Sequence, residues 1–213
     1  MMQTTLSGTL YVFQGEELGM TNFSIDWDPS EYKDIESQNY WEKMCKLYPN
    51  NEDGKLDYAK KVLALKARDH SRTPVHWNSS PNAGFCKQGV KPWMRVNDNY
   101  TEINAEQQLK DNDSVLAFWR NMLQVRKQHK DVFVYGDFQL VDHAHDYIFA
   151  YNRWSDKEKW LVILNFSEES IEWELPSEVK VAEWIVGNRD WKGRSKSGKL
   201  SLKAWEGLLG RLT

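Results

Sequence analysis

The sequence predicts a mixed α/β segment followed by an all-β segment, with the boundary near Lys130. Three segments with helical spacing of apolar residues lie within residues 30–130, whereas residues 131–213 contain short apolar runs separated by turn residues. A continuous apolar run, Thr9–Phe13, precedes the helices. We therefore expect residues 1–130 and 131–213 to differ in architecture.

The run Thr9–Phe13 is apolar throughout rather than alternating. This pattern is typical of a strand buried on both faces, as in a parallel sheet. Glu16 and Glu17 follow it, at the end where α/β barrels place their active-site loops. A buried parallel strand needs neighbours on both sides, and no βαβ repeat follows. The segment therefore forms either a small α+β unit or part of a larger domain.

Three helical patterns occupy the middle of the chain. The first spans residues 30–48, and the second lies around Leu56–Leu63. The third begins at Asp113 or Ser114, either of which can cap a helix. Its expected buried face consists of Val115, Phe118, Trp119, Met122 and Leu123. Residues 86–112 are irregular and predict a long ordered loop, a kind of segment that is usually functional.

The last third of the chain has the pattern of strands. The candidate strands are Val132–Tyr135, Phe138–Val141, Tyr147–Asn152, Trp160–Phe166, Ile171–Leu175, Val181–Ile185, Leu200–Leu202 and Leu208–Leu212. Turn residues such as Gly136-Asp137 and Ser197-Gly198 separate them. Many short strands at this spacing predict an antiparallel sandwich.

The segment Lys66–Phe85 concentrates polar side chains and is interrupted by prolines, so helix cannot continue past Thr73. Arg68 and Arg72 lie four residues apart, which would place their guanidinium groups on one side of a helical turn. Such a pair suits a carboxylate cluster or a ring of hydroxyls. The alternative is that both arginines only tie the loop to neighbouring acids.

The charge and the cysteine content of the chain limit the kinds of partner and the metal sites that we expect. A net charge of −3 and a pI near 6.0 give no reason to expect nucleic acid or an anionic membrane. Cys45 and Cys86 match no metal-ligand spacing and are expected to be free thiols. No signal peptide is visible, so we expect a cytoplasmic protein in which the glycosylation pattern Asn165-Phe166-Ser167 is unused.

Tryptophan is unusually frequent, with 11 residues. Indole rings fill cores, but their flat faces also stack on sugars and bases. Because the chain has no basic surplus, sugar is the better functional interpretation than nucleic acid. For any single tryptophan, a core position is the ordinary alternative.

Three segments together resemble a known family. They are Ser7–Met20, the loop Arg68-Asp69-His70-Ser71-Arg72-Thr73-Pro74 with Trp77 and Pro81–Phe85, and Asp113–Leu116. The chain resembles α-glucosidases of the α-amylase superfamily, in the maltase and oligo-1,6-glucosidase branch of fungal type. The resemblance implies that residues 1–130 hold the last strand, long loops and last helix of a (β/α)₈ barrel, and that residues 131–213 form a C-terminal antiparallel β-sandwich.

The resemblance also implies roles for residues. Arg68 and Glu36 are expected to bind substrate, while Glu16, Asp69 and Arg72 are expected to support the loops near the site. Asp69 would be an ion-pair partner, of Arg68 or of a neighbouring residue, rather than a nucleophile. The expected ligand is an oligosaccharide or a glucose-type small molecule, and no metal or cofactor is expected.

The family hydrolyses terminal α-linked glucose with retention, which needs two carboxylates about 5–5.5 Å apart. In the family these acids and an Asn-His-Asp motif precede the segment that resembles Ser7 onward, and no Asn-His-Asp occurs in this sequence. The adjacent Glu16 and Glu17 would point to opposite faces if extended. We therefore expect substrate contacts but no catalytic residue here, with an N-terminal barrel part as a possible partner. The alternative is a non-catalytic carbohydrate-binding or interaction module.

Overall fold

The computed structural model describes residues 1–213 as two compact units. The first unit comprises Met1–Tyr11 and Phe118–Thr213, and the second comprises Val12–Ala117. The helices are α1 (Met2–Thr5), α2 (Ile35–Leu47), α3 (Lys55–Lys66), α4 (Ala105–Gln108), α5 (Val115–Gln128) and α6 (Lys130–Phe133). The strands are β1 (Asp137–Leu140), β2 (Ile148–Trp154), β3 (Lys159–Asn165), β4 (Ile171–Glu174), β5 (Val181–Gly187), β6 (Lys199–Leu202) and β7 (Gly207–Leu212).

The first unit contains a five-stranded sheet in the order β1-β2-β3-β7-β5 and a two-stranded sheet of β4 and β6. Every neighbouring pair is antiparallel. In the centre of the large sheet, Val162 of β3 pairs with Tyr151 of β2 and with Leu209 of β7. The prediction of an antiparallel β region is confirmed, and seven of the eight candidate strands are present.

Apolar side chains cover both faces of β3, because successive residues of a strand point to opposite sides. Leu161 and Ile163 belong to a cluster with Trp173 of β4 and Leu202 of β6, which joins the two sheets. Trp160 and Val162 belong to a second cluster with Met122, Val125 and Phe133 of α5 and α6. The two sheets therefore form a sandwich whose large sheet also packs on helices.

The candidate strand Val132–Tyr135 is wrong, because its first residues belong to α6. Val132 and Phe133 are fully buried. Two arginines donate hydrogen bonds to carbonyl groups at and after the end of α6. Arg126 Nη1 donates to the Phe133 carbonyl at 2.9 Å, and Arg153 Nη2 donates to the carbonyls of Val132 and Gly136 at 2.8 Å. These bonds satisfy carbonyl groups that a helix end leaves free.

The second unit is built from helices and loops. Its largest helices, α2 and α3, pack on each other, and a small core of Phe23, Trp27, Tyr32, Leu63 and Met94 lies beside them. The rings of Phe23 and Trp27 stack with centroids 4.0 Å apart. The first two predicted helices are confirmed, although α2 begins only at Ile35. Residues 86–112 are mostly irregular, as expected.

The third predicted helix is present as α5, and its cap is Ser114, whose Oγ accepts a hydrogen bond from the Ala117 amide at 3.2 Å. Its expected buried face is only partly correct. Met122 is buried, but Val115 and Leu123 are exposed, and Val125 and Arg126 are buried instead. The buried stripe is therefore rotated relative to the one expected, because Arg126 turns inward to bind carbonyl groups.

The predicted strand Thr9–Phe13 is not formed. No segment of the chain pairs with it, and the Tyr11 side chain is 83% exposed. A parallel strand is held by ladder bonds to its neighbours, so an apolar run without neighbours has no partner for its backbone groups.

The two units also divide the chain differently from the expected boundary after Lys130, which stays a prediction about domain organisation. Cys45 and Cys86 are free, as expected. The longest helix, α5, has 14 residues, and none of the six helices meets the length and hydropathy of a bilayer span.

Candidate functional site

The arginine loop lies in the second unit, directly after α3. Helix α3 ends at Lys66 because Ala67 adopts an extended conformation. Residues Arg68–Arg72 then form a short 3₁₀ helix that stops before Thr73 and Pro74, as the proline predicts. This turn directs both arginines towards the start of α2, where Arg68 meets Glu36 and Arg72 meets Asp34.

Arg68 and Glu36 form an open ion pair. Arg68 Nη2 lies 3.6 Å from Glu36 Oε2, and the two side chains are 69% and 72% exposed. An ion pair of this length and exposure contributes little to stability. Both residues line a groove of about 350 Å³ between α2 and α3, together with Tyr40 and Leu63. Their polar ends are therefore available to a ligand, one as donor and one as acceptor.

Arg72 is bound more tightly than Arg68. Its Nη1 donates to Asp34 Oδ2 at 2.5 Å. Asp34 is buried and caps α2 by accepting a hydrogen bond from the Glu36 amide at 2.9 Å. This amide lowers the pKa of Asp34 most, and the positive charges of Arg72 and Arg68 lower it further. Asp34 is thus held ionised at the root of the Arg68–Glu36 groove.

Asp69 organises the start of α2 from the other side. It is fully buried, and its Oδ1 accepts hydrogen bonds from the amides of Lys33 and Asp34 at 2.6 and 3.0 Å. Its Oδ2 accepts a hydrogen bond from Ser37 Oγ at 2.9 Å. Asp69 thus forms no ion pair with Arg68 or with a neighbouring residue, and the expectation of an ion pair is wrong, because backbone amides and a hydroxyl already satisfy its charge. A carboxylate that is fully buried in this way is not accessible to a substrate.

Of the two histidines of the loop, His76 is fully buried, and His70 is partly buried. His70 Nε2 lies 3.0 Å from the Leu63 carbonyl, and its ring packs on Phe23 with centroids 4.1 Å apart. His76 Nδ1 lies 2.8 Å from the Ile103 carbonyl. Burial lowers the pKa of His70 and that of His76, so both rings are neutral at pH 7.

Glu16 lies away from the Arg68–Glu36 groove. It begins a 3₁₀ turn, and its Oε2 accepts a hydrogen bond from the Phe13 amide at 3.1 Å. The neighbouring Glu17 accepts one from the Gly15 amide at 2.8 Å, where φ is +92° and glycine is favoured. Glu16 lines a second groove of about 450 Å³, together with His70 and Thr73.

The structure thus brings four of the five predicted site residues, Glu36, Arg68, Asp69 and Arg72, to the start of α2. Asp34 is the residue that the sequence reasoning missed, although it links Arg72, Asp69 and the first turn of α2. An aspartate directly before an apolar helical residue, here Ile35, is a helix-start signal that would have found it.

Two known protein families match this chain. The family described as alpha amylase, catalytic domain, matches residues 1–136, and the alpha-amylase SusG C-terminal domain matches residues 148–208. The chain belongs to the α-amylase family. The predicted fold class, part of an α-amylase catalytic domain followed by a C-terminal β-sandwich, is confirmed.

Curated relatives and solved structures agree on the family. The chain is 41% identical over 210 residues to an alpha-glucosidase of Saccharomyces cerevisiae, covering 97% of this chain and 35% of the relative. It is 41% identical over 182 residues to an alpha-glucosidase of Schizosaccharomyces pombe, covering 85% of this chain and 31% of the relative. The isomaltulose synthase of Klebsiella sp. LX3 superposes with a TM-score of 0.85 at 33% identity, covering 100% of this chain and 37% of that one. The chain therefore spans about a third of the length of these relatives.

Proposed function

We propose that this chain serves as the C-terminal part of a retaining α-glucosidase that removes terminal α-linked glucose from maltose- or isomaltose-type oligosaccharides. The observation that carries the proposal is the open Arg68–Glu36 pair in a chain that is 41% identical to an alpha-glucosidase over nearly its whole length. A solved relative, a variant of the trehalulose synthase MutB, is a complex with glucose. We also place the protein in the cytoplasm, with an oligosaccharide as its ligand.

In this proposal Arg68 donates hydrogen bonds to the hydroxyls of the terminal glucose, and Glu36 accepts them from the sugar that leaves. The guanidinium group suits this role because it offers several donors in a fixed plane. Arg72 and Asp69 act through Asp34 and the start of α2, which they hold in place. Glu16 shapes the turn after Phe13.

The chain alone is not expected to break the glycosidic bond. Retention requires one carboxylate as nucleophile and another as acid and base. Around the arginine loop, Asp34 and Asp69 are buried and bound to protein donors, which leaves Glu36, in its open pair with Arg68, as the accessible carboxylate. One accessible carboxylate is not enough for a double displacement, so the reacting acids would come from the N-terminal barrel part.

A chimera tests the proposal. Residues 1–213 would replace the matching segment of the Saccharomyces cerevisiae alpha-glucosidase, and hydrolysis of maltose and isomaltose would be measured. Both substrates are needed because oligo-1,6-glucosidases of the same yeast are also similar, at 38% identity over 206 residues. We expect an active chimera, and no turnover by the isolated chain.

Substitution of Arg68 then tests its role. Loss of a charged hydrogen-bond donor should lower kcat/KM of the chimera by about 10- to 100-fold in Arg68→Ala. Arg120→Ala removes an exposed arginine for which the structure shows no ion pair, and it should leave kcat/KM unchanged. A folded but inactive chimera, or appreciable turnover by the purified 213-residue chain, would contradict the proposal.

A second candidate function, a non-catalytic carbohydrate-binding or interaction module, is favoured by one observation. The first unit exposes a group of aromatic rings around a groove. This surface lies in the part of the chain for which the sequence suggested no site.

A further inference from the structure

Three aromatic side chains of the first unit are about half exposed and line one groove. Tyr147, Phe166 and Trp205 surround a space of about 570 Å³, with His145, Glu168 and Glu169 also lining it. We call this surface the aromatic groove. Its volume lies within the range of small-molecule sites.

The backbone connects the segments that carry the three rings. The Phe166 amide donates to the Tyr147 carbonyl at 2.8 Å, so these two residues continue the pairing of β2 and β3. The Trp205 amide donates to the Ser167 carbonyl at 3.1 Å. The rings are therefore presented from three adjacent segments with a common set of hydrogen bonds.

Asn165 fixes these segments from below. It is buried, and its Nδ2 donates to the carbonyls of Glu169 and Lys203 at 2.8 and 2.9 Å. Its Oδ1 accepts hydrogen bonds from the amide and the hydroxyl of Ser167 at 3.1 and 2.8 Å. One side chain thus joins the loop after β3 to the turn before β7. Hydrogen bonds of a single side chain therefore hold these two segments next to each other.

Trp205 adopts a conformation that is unusual for a bulky residue. Its φ is +55°, in the left-handed region. The conformation is maintained because Asn188 Nδ2 donates to the Trp205 carbonyl at 2.8 Å and the buried Glu206 accepts the Lys203 amide at 2.7 Å. Core packing does not explain the strain, since the side chain is 52% exposed. Strained residues of this kind cluster where a protein presents a group to a ligand.

The polar groups of the groove suit hydroxyls rather than anions. Glu168 and Glu169 are exposed, and their carboxylates accept no hydrogen bond from the protein. No lysine or arginine lines the groove. Two free carboxylates would repel phosphate or an acidic peptide, whereas they can accept hydrogen bonds from a neutral polyol.

We propose that the aromatic groove binds an α-linked gluco-oligosaccharide. The flat ring of Trp205 would stack on the apolar face of one glucose unit, Phe166 and Tyr147 would contact the next, and Glu168 and Glu169 would accept bonds from their hydroxyls. Recognition of a pyranose follows from the rings and carboxylates, whereas the choice of glucose rests on the proposed function.

The test is a titration of the full chain with maltopentaose, followed by nuclear magnetic resonance. Signals of the Trp205 indole N–H and of the backbone around Tyr147 and Phe166 should shift with a Kd on the order of 1 mM. Trp205→Gly removes the ring while glycine accepts the left-handed backbone, so this variant should fold. It should bind about tenfold more weakly. Trp93→Ala, a half-exposed tryptophan of the second unit, should bind as the unsubstituted chain does.

Two further arms separate this inference from the proposed function. Arg68→Ala should leave the shifts of the aromatic groove unchanged, because Arg68 lies in the other unit. An inactive chimera would therefore contradict the proposed function without contradicting the sugar binding of the aromatic groove. Cellopentaose, which is β-linked, should bind more weakly, and equal binding would overturn the assignment to an α-linked sugar. The inference is also overturned by an absence of shifts at the three aromatics, or by self-association that Trp205→Gly abolishes, because the groove would then be a contact between copies of the chain.

Discussion

The two units of the molecule differ in the interactions that stabilise each of them internally. In the first unit, strands pair over long registers, and apolar clusters cover both faces of β3. The second unit has no strand and a single small cluster of buried apolar residues. Its distant segments are joined instead by buried polar side chains, such as Asp69 and His76.

The polar cross-links of the second unit reach across long stretches of sequence. Asn97 Nδ2 donates to the Thr21 carbonyl at 3.0 Å, and Gln108 Nε2 donates to the Leu18 carbonyl at 2.7 Å. Such bonds place loops accurately, but each contributes only about 0.5–1.5 kcal/mol. In the unit that carries the arginine loop, the polar bonds therefore mainly fix the positions of the loops. In the unit with the sandwich, the apolar clusters mainly contribute to the free energy of unfolding.

The comparison predicts a large difference in hydrogen exchange. Amides of β2, β3 and β7 should exchange only through global unfolding, because their ladders are buried on both faces. Most amides of residues 12–117 should exchange through local opening, orders of magnitude faster. Mass spectrometry of exchanged peptides measures both. Equal protection across the two units would break the comparison.

Removal of apolar volume should affect the first unit strongly. Leu161 is fully buried between the two sheets, so Leu161→Ala should lower the free energy of unfolding of this unit by about 2–5 kcal/mol. Leu123→Ala is the matched control, because Leu123 is exposed on α5, and it should change this free energy by about 0.5 kcal/mol or less. Denaturant titration of both variants checks the difference. Similar values would mean that the sandwich core is not what stabilises the unit.

Removal of one polar cross-link should affect the second unit more moderately. In Asp69→Asn an amide group replaces the carboxylate that three donors share, so the free energy of unfolding should fall by about 1–3 kcal/mol. Exchange at residues 33–37 should rise while exchange in β3 stays constant. Asp26→Asn, at an exposed aspartate, serves as the control. Loss of protection in β3 would show that the cross-link does not act locally.

The smallest expected effect is on pH dependence. The pKa of His70 and that of His76 are lowered by burial, so the unfolded chain binds more protons than the folded chain below about pH 6.5. The stability of the second unit should therefore decrease as the pH falls from 7.5 to 5.5. Exchange of residues 60–104 at both pH values measures this, and the His70→Gln, His76→Gln double variant should show a flatter profile. A unit that becomes more stable on acidification would contradict the neutral state of these rings.

The sequence predicted elements well where local periodicity and burial agree. Seven strands and three long helices follow their apolar patterns. The two wrong strands show the limit. Val132 has a strand-forming side chain, but its carbonyl binds Arg153, a partner 21 residues away. Thr9–Phe13 has a strand pattern without a neighbouring strand, and only the tertiary structure decides whether one exists.

The candidate site was accessible from sequence mainly through the family resemblance. The spacing of Arg68 and Arg72 indicated a shared direction, and both do reach the start of α2. Spacing did not indicate Asp69 as the acceptor for residues 33–37, because the partners lie more than 30 residues apart. The aromatic groove was also hidden, since its rings come from three separate segments.

The buried amide of Asn165 has a consequence for modification. The nitrogen that would carry a glycan in Asn-Phe-Ser is the one that binds the carbonyls of Glu169 and Lys203. An oligosaccharyltransferase would therefore reach it only on a nascent, unfolded chain, and the attached glycan would keep that strand end from closing. In a secretory expression host, the fraction of molecules glycosylated at Asn165 would thus report the fraction that did not reach the folded state.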